Sequence, residues 1–316
     1  IVIIGSGIGG STMAAALAGS GARIVILERG ERLADTPETR SYRSIFVDGH
    51  FRPKEMWREP DGTAFNPGNF YFVGGNSKLF GAVLLRYRAE DFTEMQHLGG
   101  VSPAWPFPYE ELEPWYGKAE RLFEVRGELG QDPTEPHHST PYPHGPVPDE
   151  PAIARARTEL KALGLNPATL PLGVDIDTWL AGGRTPWDGF PNAGKGKKDA
   201  ETAPLAAALL DPDVTLITSA HVDTLEAGPD GRITAIHYTH GGERKRLSPK
   251  LVILSAGAIN SAAILLRSGD GKGLANGSDQ VGRNFMNHNC SAMLAINPFR
   301  RNDSIYQKTL MLNDYY

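Results

Sequence analysis

The chain opens with IVIIGSGIGGSTMAAALAGSGARIVILERG at residues 1–30, and this stretch decides its fold. Its first four residues are apolar and mostly β-branched, which predicts a buried strand. An Ala-rich run predicts a helix at 11–18, closed by Gly19 or Gly21. A second apolar run, IVIL, predicts another buried strand. This order of strand, glycine-rich turn, helix and strand is typical of the βαβ unit of a dinucleotide-binding α/β fold.

Each glycine of the turn has a distinct physical role. Gly5, Gly7 and Gly10 fit the pattern G-x-G-x-x-G. Gly5 permits the tight turn, Gly7 lets a pyrophosphate approach the backbone, and Gly10 lets the helix pack closely on the strand. The N-terminus of the helix then offers N–H groups to the phosphates. A glycine-rich turn without a ligand is the alternative interpretation.

Glu28 ends the second predicted strand. Its carboxylate is expected to accept hydrogen bonds from both ribose hydroxyls of a dinucleotide. The same carboxylate would repel a 2′-phosphate, so a phosphorylated ribose is disfavoured.

Composition sets the broad class of the protein. The chain has 316 residues, of which 40% are hydrophobic and 22% are charged, which predicts a globular protein with two domains. The net charge of −5 gives no basic footprint for nucleic acid or an anionic membrane. No run is apolar and long enough to span a bilayer. We therefore expect neither nucleic acid nor membrane as a partner.

The cysteine count excludes some redox classes. Cys290 is the one cysteine, so the chain has no internal disulfide and no Cys-x-x-Cys pair. We interpret Cys290 as a small buried hydrophobe. The chain begins inside a strand without Met, so we expect the true N-terminus to be missing. No signal peptide is visible, and a cytoplasmic location is predicted.

The second half of the chain repeats the opening pattern. An apolar strand is predicted at 251–254, followed by a turn with Ala256 and Gly257 and a helix at 260–266. This unit should return to the sheet beside the first strand and aim a second helix N-terminus at the ligand. Between residues 214 and 247, short apolar runs predict a strand and a β-meander.

Other segments complete the prediction of local structure. Periodic or Ala-rich spacing predicts further helices at residues 41–47, 109–124, 151–163 and 202–210. Residues 165–191 are rich in Pro, Gly and Trp and are predicted to be irregular. The histidines of the loop at 127–145 complete no recognisable metal-ligand spacing, so no metal site is predicted; they are His137, His138 and His144.

A second glycine-rich loop reads GGNSKLFG at residues 74–81. Its glycines would let the backbone approach a flat ligand, while Asn76 and Ser77 offer hydrogen bonds. A plain tight turn is an equally good interpretation from composition alone.

Four segments in this order resemble the glucose–methanol–choline (GMC) oxidoreductases, which are FAD-dependent alcohol oxidases and dehydrogenases. The start resembles their ADP-binding motif. Residues 74–88 resemble their first signature, which lies against the flavin, and residues 252–268 resemble their second. Residues 281–288 are similar to their V-G-R-N-x-x-x-H stretch, and the resemblance implies that His288 belongs to the cofactor shell.

The middle of the chain narrows the resemblance to the pyranose-oxidase-like branch, which includes bacterial sugar and glycoside oxidases. The segments that carry it are residues 99–106, 109–112, 130–136, 187–191 and 197–202. Several members carry FAD covalently on a histidine of the loop equivalent to 74–81. This chain has no histidine there, so a non-covalent FAD is predicted.

The resemblance implies an FAD-dependent oxidoreductase that oxidises an alcohol group of a sugar or glycoside by hydride transfer to flavin N5. Oxygen or another acceptor would then reoxidise the flavin. One alternative is a GMC dehydrogenase for a non-sugar alcohol with a quinone or protein acceptor. Another is a nucleotide-binding subunit without chemistry, and a plain NAD dehydrogenase is the weakest option. The loops leave room for a homo-oligomeric interface.

The predicted cofactor-binding residues come from the three glycine-rich segments and the strand ends. They are Gly5, Gly7, Gly9, Gly10, Glu28, Arg29, Gly74, Gly75, Asn76, Ser77, Gly81, Val222, Ala256, Gly257 and Asn260. In the family the catalytic base is a His near the C-terminus, paired with an Asn or a second His. These residues are expected beyond Tyr316, so no catalytic residue is assigned within the chain.

The predicted fold class is α/β, with a Rossmann-like FAD-binding domain, made of a βαβ unit plus a β-meander, and an interleaved, incomplete α+β substrate domain. The FAD-binding domain is predicted to be discontinuous, at residues 1–30, 71–100 and 197–290. Residues 31–70 are predicted to form an excursion or lid. Residues 101–196 and 291–316 are predicted as segments of the substrate domain.

Overall fold

The structure is a computed structural model that describes residues 1–59, 61–194, 196–269, 271–286, 291–293, 296–299 and 302–316. Cys290 and His288 lie outside the described residues, so the predictions made for them stay predictions. The chain divides into two compact units. The first comprises Ile1–Lys78 and Asp199–Arg301, and the second comprises Leu79–Lys198 and Asn302–Tyr316. Within the described ranges, no helix has the length and apolar character needed to cross a membrane.

The regular elements are mostly short. The strands are β1 (Val2–Ile4), β2 (Ile24–Leu27), β3 (Trp57–Arg58), β4 (Ala64–Phe65), β5 (Met95–His97), β6 (Gly100–Ser102), β7 (Ala168–Thr169), β8 (Val214–Ile217), β9 (His221–Ala227), β10 (Ile233–His240), β11 (Glu243–Leu247), β12 (Val252–Leu254) and β13 (Leu310–Met311). The α-helices are α1 (Ile8–Leu17), α2 (Tyr109–Leu122), α3 (Pro151–Ala162), α4 (Ile176–Ala181), α5 (Ala206–Ala208) and α6 (Ala258–Arg267).

A four-stranded parallel sheet forms the centre of the first unit. β1 lies between β12 and β2, and β8 pairs with the other edge of β2. Ile3 stands opposite Ile26 on β2 and opposite Ile253 on β12. The predicted return of the second strand–turn–helix unit beside the first strand is therefore confirmed. The βαβ unit and the Rossmann-like fold class are confirmed with it.

The continuous apolar runs of the sheet are explained by burial on both faces. Ile3 and Ile26 are fully buried and pack in one cluster with Ala14 of α1. Ile4 points to the opposite face and packs in a second cluster with Ile236 of the meander β9–β10–β11. A strand covered on both faces has no polar side, so periodicity 2 is absent from its sequence. The predicted meander is confirmed.

The second unit has its own core and its own small elements. Leu172 and Trp187 are fully buried in one cluster with Tyr306. The two-residue strands β7 and β13 pair antiparallel. The helices predicted at 109–124 and 151–163 are confirmed as α2 and α3. Within the stretch predicted to be irregular, α4 forms one and a half turns, and the Asp175 carboxylate caps it by accepting from the Thr178 N–H at 3.3 Å.

Several predicted boundaries were wrong. The first helix begins at Ile8 rather than at residue 11, because the glycines at 9 and 10 already take helical conformation. The helix predicted at 260–266 begins two residues earlier, at Ala258. The helix predicted at 202–210 is a wide π-type turn, Glu201–Leu205, followed by the single turn α5. The helix predicted at 41–47 is likewise a π-type turn, Arg43–Val47.

The compact units also differ from the predicted domain boundaries. Residues 79–100, predicted in the FAD-binding domain, lie in the second unit, while the excursion at 31–70 lies in the first. The predicted assignment of these segments to cofactor and substrate domains stays a prediction.

Candidate functional site

A cavity of about 500 Å³ lies in the first unit, at the carboxyl ends of β1, β2 and β12. Parallel sheets bind their ligands at this edge. Three glycine-bearing turns form its walls: the turn after β1, the turn at 74–77, and the turn after β12. The sequence placed these three turns far apart along the chain, and the fold brings them to one cavity.

The glycines of the first turn are needed for three different reasons. Gly5 has a left-handed φ of 97°, and a Cβ there would lie 2.4 Å from the carbonyl oxygen of Ser255. A Cβ on Gly10 would lie 1.9 Å from the carbonyl oxygen of Gly5, so the helix packs on the turn only without a side chain. A Cβ on Gly7 would meet nothing within 4 Å. Gly7 therefore borders open space, as the approach of a ligand requires.

Two helices begin at the cavity without a side-chain cap. Gly7 precedes α1 and Gly257 precedes α6; neither N-terminus has a side-chain cap, and neither helix has an acidic residue in its first turn. Both glycines line the cavity. The first N–H groups of a helix lack intrahelical partners and carry partial positive charge. The two helix starts therefore favour an anionic ligand such as a pyrophosphate.

Glu28 is held in one orientation beside this turn. Its Oε2 accepts from the Ser6 N–H at 2.9 Å and from the Ser6 hydroxyl at 2.7 Å, and its Oε1 accepts from the Gly30 N–H at 2.8 Å. The Ser6 hydroxyl in turn accepts from the Gly74 N–H at 3.1 Å. Ser6 thus ties the acidic residue to the second glycine turn. Carboxylate oxygens have further lone pairs, so Glu28 keeps acceptor capacity for a ribose diol.

The second glycine turn lies directly against the first. Gly74 and Gly75 have left-handed φ values of 95° and 58°, and a Cβ on Gly75 would lie 3.4 Å from the Cα of Gly7. The Ser77 hydroxyl donates to the Gly74 carbonyl at 2.6 Å, so it holds the turn together. The Asn76 Oδ1 accepts from the Phe70 N–H at 2.9 Å. Both residues line the cavity, and their side chains hold the turn.

A buried ion pair packs against the second glycine turn. The Lys78 ammonium contacts the Asp199 carboxylate at 3.2 Å, and it also contacts Glu201. The side chains of Lys78 and Asp199 are 2% and 0% exposed. A Cβ on Gly74 would lie 3.2 Å from the Lys78 Cε, so the turn packs on the lysine stem.

A stacked pair of side chains forms part of the cavity wall. The Arg29 guanidinium lies 3.6 Å from the centroid of the Tyr71 ring, and both residues line the cavity. Glu55 binds Arg29 at 3.1 Å and accepts from the Tyr71 hydroxyl at 3.1 Å and from the Trp57 indole at 2.9 Å. Burial raises the pKa of Glu55, but these hydrogen bonds and the charge of Arg29 outweigh it and hold the pKa below its ordinary value. Glu55 therefore ties residues 55–57 to this part of the cavity wall.

Most predicted site residues meet at this cavity. Those that line it are Gly5, Gly7, Gly9, Glu28, Arg29, Gly74, Gly75, Asn76, Ser77, Val222, Ala256, Gly257 and Asn260. Gly10 serves the packing of α1 instead. Gly81 belongs to the second unit, where a Cβ would lie 2.5 Å from the side chains of Asp188 and Lys308. Direct ligand contact by any of these residues stays a prediction.

Sequence reasoning missed several residues of the cavity wall, namely Tyr71, His221, Ser255, Ser261 and Arg267. His221 was not among the predicted site residues, although its neighbour Val222 was predicted to bind. Its place at the start of β9, beside that residue, was the available signal. Ser255, Ser261 and Arg267 lie within residues 252–268, the segment that resembles the second family signature, so their segment was recognised although these side chains were not singled out.

Two family models match parts of the chain. Residues 187–290 match the model of the GMC oxidoreductase family, and residues 3–48 match that of an NAD(P)-binding Rossmann-like domain. The chain therefore contains a GMC oxidoreductase domain. The expectation drawn from the four resembling segments is confirmed.

Two curated proteins are similar to the chain over most of its length. The chain is 30% identical over 303 residues to 6'''-hydroxyparomomycin C oxidase of Streptomyces lividus, covering 90% of this chain and 53% of that protein. It is 27% identical over 332 residues to the fructose dehydrogenase large subunit of Gluconobacter japonicus, covering 91% and 58%. It thus spans about half the length of these relatives.

One solved structure supports the fold of this chain. It is that of pyridoxine 4-oxidase from Mesorbium loti, which aligns with a TM-score of 0.55 at 20% identity and covers 85% of this chain and 51% of that one. A likeness at this identity concerns the fold alone.

The cavity fits a dinucleotide on observations of its own. Two uncapped helix starts supply positive potential for a pyrophosphate. The open space beside Gly7 admits the ligand backbone, and Glu28 supplies an oriented carboxylate for a ribose. No acidic side chain stands in the first turn of α1 or α6 to oppose the phosphates.

Proposed function

We propose that this chain forms the FAD-binding part of an oxidoreductase that oxidises an alcohol group of a sugar or glycoside. One observation carries the proposal: three glycine-bearing turns and an oriented Glu28 meet at one cavity, with two uncapped helix starts. The match of residues 187–290 to the GMC oxidoreductase family model supports FAD as the dinucleotide.

The residues that would hold FAD divide by chemistry. The start of α1 would bind the pyrophosphate, and Glu28 would bind the ribose. Gly74 and Gly75 expose backbone beside Gly7 and would let a flat ring approach. Bound FAD supplies a flavin ring whose N5 accepts a hydride from the carbon that bears the alcohol. The chain's own residues bind, orient and cover that group.

We propose that the flavin is held without a covalent bond. Residues 74–81 contain no histidine. Among the described residues that line the cavity, the histidine is His221, which lies on β9 next to Val222 rather than on the second glycine turn. Precipitation of the purified protein with acid should release all yellow colour into the supernatant. Colour that stays with the precipitated protein would contradict the proposal.

A sugar or glycoside substrate is supported by two kinds of likeness. Segments such as residues 99–106 and 187–191 resemble the pyranose-oxidase-like branch. The relatives named above are an oxidase of 6'''-hydroxyparomomycin C and a fructose dehydrogenase large subunit.

The acceptor is a separate question, because one relative is an oxidase and the other a dehydrogenase. Oxygen and a quinone or protein acceptor are therefore both candidates. Turnover should be compared in air and, anaerobically, with a dye acceptor. Turnover with the dye alone would favour the dehydrogenase.

The deciding experiment is an anaerobic absorption spectrum of the full-length protein before and after adding D-glucose and then a glycoside. A flavin band that either sugar bleaches would support both cofactor and substrate class. A band that no sugar bleaches would keep the flavin and reject the sugar. No band after adding FAD would reject the proposed function as a whole.

A further inference from the structure

The cavity extends along the whole length of α6. Gly257 and Ala258 at the start of this helix line it, and so does Arg267 in its last turn. A helix of ten residues is about 15 Å long. The cavity therefore runs from the two helix starts, which favour a pyrophosphate, to a second end roughly that distance away.

This second end is built by the start of β9. Ala220, His221 and Val222 line the cavity there, and the Ala220 N–H donates to the Glu28 carbonyl at 2.8 Å. In the sheet, β8 is the neighbour of β2 on the side away from β1. A dinucleotide whose pyrophosphate lies at β1 and whose ribose lies at Glu28 would extend its base in this direction.

His221 is held in a fixed orientation by its neighbours. Its Nδ1 lies 3.2 Å from the Asp223 Oδ1, and the Asp223 Oδ2 accepts from the Thr239 hydroxyl at 3.0 Å. His221 and Thr239 are directly opposite each other on β9 and β10, and Asp223 follows two residues later on the same face of β9. Strand geometry therefore brings all three side chains together.

The same aspartate joins the end of α6 to β9. The Arg267 Nε donates to the Asp223 carbonyl at 3.2 Å, and the Ser268 hydroxyl accepts from the Leu225 N–H at 2.8 Å. Two elements that wall this end of the cavity are thereby fastened to each other beside His221.

Building on the proposed FAD site, we propose that His221 recognises the adenylate half of the cofactor and that Asp223 is its positioning residue. A carboxylate only accepts hydrogen bonds, so the neutral imidazole carries its proton on Nδ1 and presents Nε2 as an acceptor. An adenylate offers matching donors, namely the amine of the base and a ribose hydroxyl. FMN has no adenylate, so His221 should act on FAD and not on FMN.

The test is a set of titrations with full-length protein freed of flavin. FAD and FMN are titrated by flavin fluorescence, and ADP by competition with FAD and also directly by calorimetry. His221→Ala should raise the Kd for FAD and for ADP about threefold to tenfold, the worth of one hydrogen bond to a neutral group, and leave the Kd for FMN within about twofold. His221→Gln, which keeps an acceptor, should recover part of the loss. Asp223→Asn should give a smaller loss in the same direction.

His237→Ala is the matched control. His237 lies on β10 and its Nε2 contacts Glu226 at 3.0 Å, so the same residue type is removed from the same meander, outside the cavity wall. Its affinity for FAD should equal that of the unchanged protein. Circular dichroism of all variants checks that the meander stays folded.

Two results would overturn the assignment. His221→Ala could bind FAD and ADP as the unchanged protein does, or it could weaken FMN as much as FAD, which would indicate a general structural role. Failure of the unchanged protein to bind FAD would reject the proposed function instead. Calorimetry with ADP would then still decide: loss of ADP affinity in His221→Ala supports the assignment, while no binding of ADP or no loss rejects it.

Discussion

In the first unit, the backbone donors at the starts of α1 and α6 meet no side-chain cap, whereas in the second unit a network of buried charges is closely paired. Arg86 is the centre of that network and its side chain is 1% exposed. It binds both oxygens of Glu120 at 2.7 and 2.8 Å, Glu113 at 3.0 Å and the Tyr109 hydroxyl at 2.9 Å. Burial alone would lower the pKa of Arg86, but these partners outweigh it and raise the pKa.

The difference shows that backbone donors beside a cavity and buried charged side chains serve different purposes. Uncapped donors beside open space cost little while water reaches them, and they become favourable when an anion arrives. Buried charges without partners would cost several kcal/mol, so they are retained only in paired form. Unused backbone donors therefore indicate a ligand site, and the paired charges around Arg86 indicate a folding role.

The largest effect is expected from breaking the paired network. Arg86→Met should lower the free energy of unfolding by about 3–5 kcal/mol, because two buried carboxylates lose their cation. Urea denaturation measures the change. Arg246→Met is the control, since its contact with Glu226 at 3.5 Å is about half exposed and should be worth less than about 1 kcal/mol. Similar losses in both variants would contradict the comparison.

A pH dependence should follow from a histidine in the same unit. The side chain of His138 is 3% exposed; its Nε2 lies 3.5 Å from the Glu135 Oε1, and neither ring nitrogen makes a hydrogen bond. Burial, and then the charge of Arg86, lower the pKa of His138 from 6.5 to about 4. The folded state thus disfavours the protonated ring, so its stabilising effect is complete above pH 6.5 and is lost as the pH falls from there toward 4. The loss should reach about 3 kcal/mol.

Urea midpoints of the unchanged protein and of His138→Phe, measured between pH 4 and 7.5, check this prediction. The variant should lose stability less steeply in that window. The pKa of Glu113 is lowered from 4.5 to about 2, chiefly by the hydrogen bond from the Ser139 N–H, so its loss of stability falls at lower pH and does not overlap most of the window. Equal slopes for both proteins would exclude His138 as the cause.

The glycines of the first turn provide a matched pair of substitutions. Gly10→Ala should lower the free energy of unfolding by about 2 kcal/mol, because its Cβ would lie 1.9 Å from a backbone oxygen. Gly7→Ala should leave stability within about 0.5 kcal/mol, since nothing lies within 4 Å of its Cβ, yet weaken FAD binding by filling the space of the ligand. Thermal unfolding and flavin titration together separate the two effects. A stable Gly10→Ala would mean that α1 can move away from the turn.

The smallest effect is expected at Ser6. Ser6→Ala removes the hydroxyl that links Glu28 to the Gly74 N–H, and should cost about 1 kcal/mol of stability. Thr12→Val, on α1, is the control. The buried Thr12 hydroxyl has no hydrogen-bond partner, so its removal should leave the free energy of unfolding unchanged. A loss in Thr12→Val as large as in Ser6→Ala would indicate that the hydroxyl link is unimportant.

The sequence by itself determined the βαβ unit, the parallel return of β12 and the three glycine turns. Most of these features are local, because an apolar run, a glycine spacing and a helix start lie close together along the chain. The return of β12 is the exception, since Ile253 pairs with the distant Ile3, and it was predicted from the repeated order of strand, turn and helix. Position within that unit also predicted ligand roles for Glu28 and Gly7, and these roles stay predictions. The meander was predictable for the same reason.

Only the tertiary structure decided which distant side chains share the cavity and which charges pair. Tyr71, His221 and Arg267 reach its wall from three separate segments, and no spacing in the sequence records their meeting. The partners of Arg86 lie 23–34 residues away on α2 and could not be paired from periodicity. Gly81 is the opposite case. The motif at residues 74–81 is continuous in the sequence, but Gly81 lies in the second unit and residues 74–78 lie in the first. Long-range packing selects these contacts, and it is a property of the whole fold.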